Sequence, residues 1–304
     1  MKLLLPLFLL LALAGRSQEV LFEGHVYDAR TKAPIPYANI SFMNSLKGTS
    51  SNEEGYFYVD VPKDFLDKKV HISSLGYEDV IMEARAIMAN KKIYTEEETY
   101  ELAEVTVTQA LGDMLVLNPI SSYGIKSGFS SAETPWVLAL YFPNVGASKK
   151  YVDKVTVYMQ KDGRFKAGSS QFRLRLYAVD PETGHPGKDL VRKSIVLSSD
   201  SNEDFVSVDL APLGIKVPKE GIYVGLEWLF LPANWYVAKR EHPITKEMVS
   251  EDRFAPSFGA VYQKNTNYRT MVYGLGQWSN FSIKGKQTEA HLVPAIALKL
   301  SKEK

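Results

Sequence analysis

The chain has 304 residues, with 36 basic and 35 acidic side chains, a formal net charge of +1 and 45% hydrophobic residues, which is enough for two sizeable cores. That charge balance lacks the positive field that draws proteins to nucleic acid or anionic lipid, so those partners are set aside. Cysteine is absent, which excludes disulfides, thiol catalysis, Cys-ligated metal sites and a lipid-modified N-terminal Cys.

Residues 1–17 have the order of a secretory signal: Lys2, an apolar stretch through Ala14, then a polar turn at Gly15, Arg16 and Ser17. The apolar block is shorter than the roughly 20 residues a membrane span needs. Every later apolar run is broken by charge, Gly or Pro before that length. Cleavage is expected after Ala14 or Ser17. The mature chain is then exported, periplasmic, associated with the outer membrane or secreted, with no transmembrane segment. An exported chain of this size without disulfides points to a bacterial envelope.

Short alternating runs follow at residues 20–27, 38–42, 56–61, 69–73, 79–83 and 103–108, each bounded by Gly, Pro, Asn, Asp or Ser. About seven short strands in about a hundred residues suit a Greek-key β-sandwich over residues 18–108. Between residues 109 and 134 the pattern loosens, and this stretch reads as a linker or lead-in. Strand signal resumes at 136–142, 152–160, 171–179, 191–197, 205–210, 221–231, 257–262, 270–273 and 292–300. These runs predict a second, larger, jelly-roll-like β-sandwich over residues 135–304. Residues 173–177 alternate polar and apolar, as a half-solvated strand does, whereas residues 223–228 look central. Helical signal is confined to a turn or two at 82–89 and a short helix in a long loop at 242–253. The predicted fold class is all-β.

Residues 24–61 read GHVYDARTKAPIPYANISFMNSLKGTSSNEEGYFYVDVP. Gly24, Val26, Asp28, Thr31, Pro34, Ile35, Pro36, Ala38, Asn39, Ile40, Gly48, Thr49, Gly55, Phe57, Gly76 and Tyr77 carry a resemblance to the carboxypeptidase-like regulatory domain. That is a prealbumin-like sandwich common at the N-termini of envelope proteins of the Bacteroidetes type. The match covers most of residues 20–108, and residues 102–107 look like the family's terminal strand. The chain departs from the pattern at Asn52-Glu53-Glu54, where the family commonly has Asp, and at Lys32, where it commonly has Gly. The quoted residues fix turns and plug a core, so the resemblance implies a fold and no chemistry. In the family the module often precedes a large transmembrane barrel, but residues after 135 lack a long series of alternating ten-residue spans with aromatic girdles. They resemble the sandwich domains that follow such modules in short envelope proteins, a resemblance that implies no activity.

A zinc carboxypeptidase needs His-x-x-Glu and a distant His. The third residues after His25, His71, His185, His242 and His291 are Asp28, Ser74, Lys188, Thr245 and Pro294. No Gly-x-Ser-x-Gly elbow occurs, and Gly274-Leu275-Gly276 lacks the further glycine of a phosphate loop. Glu227, between Leu226 and Trp228, is the best single candidate for a hydrolase acid, against a plain reading as an outward-facing strand residue. Asp200, Asn202 and Asp204 alternate like calcium ligands but lack the Gly and Glu of a calcium-binding loop. The triplets at Asn39 and Asn280 match glycosylation acceptors and are discounted in a bacterial chain.

Aromatic residues supply the remaining signal. Trp228, Trp235, Tyr236 and Trp278 are the candidate ligand-binding residues, because exposed aromatic rings serve sugar and protein recognition alike. No catalytic, cofactor-binding or metal-ligating residue is assigned, and no cofactor is expected. The sequence thus predicts a non-catalytic exported accessory or structural protein whose partner is an envelope protein or a glycan. The alternative is a carbohydrate-binding protein using the C-terminal aromatics, and the weaker one an unrecognised hydrolase.

Overall fold

The computed structural model describes residues 19–98, 114–125, 127–132, 135–145, 151–161, 168–242, 244–274, 277–285 and 289–301. The expected signal segment and the strand expected at 103–108 lie outside them. No helix among the described residues is long and apolar enough to cross a membrane.

The first domain contains β1 (Glu19–Asp28), β2 (Asn39–Phe42), β3 (Gly48–Ser50), β4 (Tyr56–Pro62), β5 (Lys69–Ser73), β6 (Val80–Glu83), the helix α1 (Ala84–Asn90) and β7 (Lys92–Thr95). They form a sandwich of two sheets, ordered β4-β1-β7 and β3-β2-β5-β6. Alternation in β1 sends Phe22 and Val26 inward, where they meet Ile40, Phe42, Phe57, Val61, Val70 and Ile72. The helix is one short amphipathic turn-and-a-half that buries Ala84 and Ile87 against this core. It stops where Lys91 turns left-handed and donates its amide to the Ile87 carbonyl.

The second domain opens with β8 (Leu115–Leu117), β9 (Ser127–Ser131), β10 (Val137–Phe142), β11 (Tyr151–Tyr158), β12 (Ser169–Val179), β13 (Pro186–Asp189) and β14 (Ile195–Asp200). It continues with β15 (Phe205–Asp209), β16 (Ile222–Trp228), β17 (Trp235–Glu241) and β18 (Met248–Gln263). It closes with β19 (Thr270–Gly274), β20 (Gln277–Phe281), β21 (His291–Pro294) and β22 (Ile296–Ser301). One layer is the sheet β13-β12-β16-β10-β19-β20, with β14 also on β12. The facing layer is built from β15-β11-β22-β8 and from β17-β18-β21 with β9. Leu174, Leu176, Val224, Leu226 and Trp228 of the first layer interdigitate with Val155, Val157, Phe258, Ile296 and Leu298 of the second. The chain is all-β, a prealbumin-like sandwich followed by a jelly-roll-like one.

Two expectations change. Residues 109–134, read as a linker or lead-in, contribute β8 to β22 and β9 to β18, so part of this stretch is already second domain. Short polar strands such as Ser127–Ser131 carry little apolar alternation and are invisible until a partner strand is known. The helix expected at 242–253 is instead a hairpin: β17 and β18 pair from Trp235 opposite Phe254 to Glu241 opposite Met248. Backbone bonds between His242 and Glu247 close its turn.

Trp228 is 1% exposed, stacks on Trp136, touches Phe258 and donates its indole N–H to the Pro256 carbonyl at 2.8 Å. Trp228→Ala should therefore cost about 3–5 kcal/mol, read as a fall in the urea midpoint of unfolding.

Candidate functional site

The layer β12-β16-β10 has a second face, pointing away from the core of its own domain. Alternation puts Arg173, Arg175 and Tyr177 of β12 and Tyr223, Gly225 and Glu227 of β16 on that face. Such a face normally meets water, yet Arg173 is 1% and Glu227 2% exposed, because the first domain is packed over it. Tyr37 joins Leu229, Leu231 and Val196 in an apolar cluster. Ser50 Oγ accepts the Phe230 amide at 3.0 Å, and the Asn39 side-chain amide reaches the Pro135 carbonyl at 3.5 Å.

The buried charges are satisfied in a chain. Register sets Arg173 directly opposite Glu227. Its Nη1 lies 3.3 Å from Glu227 Oε2, its Nε donates to Ser194 Oγ at 3.0 Å, and its Nη2 donates to the Tyr37 carbonyl at 2.6 Å. Arg175 stands 3.7 Å from the same Glu227 oxygen and forks onto Asp189, at 3.1 and 2.5 Å. Burial opposes the charge on Arg175, but Asp189, Tyr177 and Glu227 outweigh it and hold the guanidinium well above its ordinary value. Two cations and two anions thus neutralise each other under the first domain. Glu227 does stand on the outward face of its strand, but the first domain covers it and it is locked between two arginines.

Where this network ends, the domain junction opens into a cleft of about 430 Å³. Arg175, Asp189 and Tyr177 line it from the β12–β13 side. Tyr273 and Trp278, opposite each other on the β19–β20 hairpin, supply an aromatic wall, with ring centroids 5.2 Å apart. Trp278 also meets Tyr177 edge to face at 5.4 Å. The other wall is the β5–β6 turn of the first domain, with Ser73, Ser74, Glu78 and Asp79, joined by Glu98. Gly225 lets the Tyr177 ring cross β16, since a Cβ there would stand 2.8 Å from it.

Three features describe the cleft chemically. Tyr177 is 3% exposed, and among the described residues its hydroxyl, itself sealed beneath the cleft wall, has no hydrogen-bond partner, a deficit uncommon in folded proteins. Burial pushes that phenol well above its ordinary value, and pushes Tyr273 up to about 12. Glu98 is raised by burial and then by Asp189, Asp79 and Glu78, with Lys188 opposing. Two of the acids are engaged, Asp79 with His71 Nε2 at 2.9 Å and Asp189 with Arg175.

The four aromatic candidates do not share a surface. Trp278 lines this cleft, and Trp235, 46% exposed, lines a separate groove. Trp228 and Tyr236 are buried, so neither can act as a ligand platform. Tyr177 and the β5–β6 turn carry no signal in the sequence, because their place in the cleft depends on the first domain docking against β12. The Asp200 loop folds on itself: Asp200 Oδ1 accepts the Asn202 amide, and Asp204 pairs with Lys161 at 2.9 Å. Among the described residues no group of three or more His, Asp or Glu side chains is placed to hold a metal ion.

Residues 22–107 match the CarboxypepD_reg-like domain family, so the first sandwich is a carboxypeptidase-regulatory-like domain. No curated protein matches the chain.

Arg173→Met should cost about 3–5 kcal/mol, since it leaves Glu227 and the Tyr37 carbonyl short of a donor in the interior. Arg173→Met combined with Glu227→Leu should cost clearly less than the single change, as measured by urea unfolding. Glu98 carries a raised folded value, so its contribution is complete below the unfolded value of about 4.5 and is lost as pH rises through the folded one. Glu98→Gln should therefore raise Tm at pH 7 and leave it unchanged near pH 4.

Proposed function

We propose that the chain is an exported, non-catalytic accessory protein of the cell envelope that holds a glycan in the cleft between its two domains. The observation that carries this reading is a cleft between the domains with the Tyr273 and Trp278 rings on one wall and Ser73, Ser74 and Glu78 on the other. The volume lies within the range of small-ligand sites.

A sugar offers a C–H face for Trp278 and Tyr273 and hydroxyls for Ser73, Ser74 and Glu78. The excess of acids, Glu78, Asp79, Glu98 and Asp189 against Arg175 and Lys188, disfavours phosphates and other anions. Glu227 and Asp189 are held by arginines and Asp79 by His71, so these three acids serve as counter-ions. A regulatory-like module, defined by turns and core, fits an accessory role.

The test is a glycan array on the purified two-domain protein, followed by titration of the best hit. Trp278→Ala should weaken binding at least tenfold. Tyr177→Phe should raise the Tm of the free protein, because the orphan hydroxyl is gone, and leave binding unchanged, since that hydroxyl is sealed from the cleft. An array with no hit, or a hit whose affinity ignores Trp278→Ala, overturns the reading.

A further inference from the structure

A second concavity at the domain junction shares no lining residue with the cleft. It is a groove of about 910 Å³ whose floor is residues 47–50 and 56–60 of the first domain. Its wall is one face of the β17–β18 hairpin, where Trp235 lies opposite Phe254 and Val237 opposite Asp252.

Among the described residues the floor contains a sheet edge with no partner strand. Among the described residues β4 pairs with β1 alone. The Val26 amide donates to the Gly55 carbonyl. Antiparallel ladders alternate, so the pairs at the same register two residues on, Gly24 with Phe57 and Phe22 with Val59, are the ones that exchange hydrogen bonds. Tyr56, Tyr58 and Asp60 accordingly turn their backbone N–H and C=O away from β1. Tyr56 finds Asn52, whose Oδ1 accepts its amide at 2.9 Å and whose amide donates to its carbonyl at 2.8 Å. Among the described residues no such partner serves Tyr58 or Asp60.

Exposed edges are ordinarily blunted by lysine, by mid-strand proline or by a covering segment. β4 reads Tyr-Phe-Tyr-Val-Asp-Val-Pro, with no lysine and its proline at the very end. Large apolar side chains stand exposed beside it: Tyr58 46%, Trp235 46% and Val237 43%. The charges around the groove are one-sided. Glu19, Asp60 and Asp252 face only Lys47, since Glu251 is already neutralised by Arg240 and Arg253.

We propose that this groove takes an extended segment of a partner protein, with alternating apolar and basic side chains, as an added strand on β4. Backbone groups of Tyr58 and Asp60 supply the pairing, Trp235 and Val237 the apolar contact, and Glu19, Asp60 and Asp252 the preference for basic residues. The site is independent of the glycan reading, and either can fail without the other.

The probe is a fluorescein-labelled heptapeptide of alternating valine and lysine, titrated by anisotropy against the two-domain protein. Its controls are the valine–glutamate heptapeptide and a valine–lysine peptide N-methylated at alternate residues. The basic peptide should bind at least about tenfold more tightly than either control, a difference of about one backbone bond or one charge contact. Tyr58→Pro removes an outward N–H and no bond to β1, so it should keep the wild-type Tm and lose about tenfold in affinity. Asp60→Lys, which leaves the backbone intact, should abolish the preference for the basic peptide, because Glu19 and Asp252 are then balanced by two lysines. Equal binding of the N-methylated peptide, no saturable binding of the basic one, or an unchanged preference in Asp60→Lys overturns the proposal.

Discussion

Arg173 and Glu227 are an ion pair removed from water on the face of a sheet that does not belong to its own domain's core. Desolvating two charges costs several kcal/mol per ion unless every remaining donor and acceptor is met. The second domain alone offers Ser194 and Arg175. The remaining donor, Nη2 of Arg173, is met by the Tyr37 carbonyl of the first domain. The arrangement of the two sandwiches follows from that requirement. With the first domain displaced, Arg173 would lose an acceptor and the cluster of Tyr37, Leu229 and Leu231 would lose its cover. Tyr37 itself sits at a φ of 58°, a left-handed conformation that costs a non-glycine residue about 1–2 kcal/mol. The strain falls on the residue whose carbonyl is aimed at the buried guanidinium.

The cleft and the groove are both products of this docking, and neither domain contains either of them whole. In the cleft the regulatory-like module contributes the polar turn, while the sandwich contributes the aromatic wall and the Arg175–Asp189 floor. In the groove the module contributes a backbone edge and the sandwich contributes apolar side chains. A module read as fold alone here completes concave surfaces on its neighbour.

The sequence made the strands legible and the interfaces illegible. Gly24, Pro34, Gly55 and Phe57 identify the first sandwich because turns and core plugs are local signals. Residues 223–228 read as central, and all seven residues of β16 are buried. Arg173-Leu174-Arg175 reads as half-solvated, because alternation shows that two faces differ and cannot show what covers the polar one. Glu227 reads as outward-facing and is, but its cover is hidden for the same reason, and Tyr177 passed unnoticed because an aromatic in a strand is ordinarily core. The hairpin at β17–β18 was missed because its polar turn and charged strand give no period until Phe254 is placed opposite Trp235. Trp278 and Trp235 stand out by residue type alone, which cannot show that they line different concavities.

The junction also sets how the two concavities respond to occupation. A ligand held between Trp278 and the β5–β6 turn touches both domains, so it binds only the docked arrangement and stabilises the docking by mass action. An added strand on β4 with its side chains against Trp235 does the same from the groove. Both would favour the docked state in which Arg173 reaches Tyr37. The neutral network between them, with Arg173 and Glu227 out of water, opposes sliding of the domains, since sliding would strip a donor or acceptor from a desolvated charge.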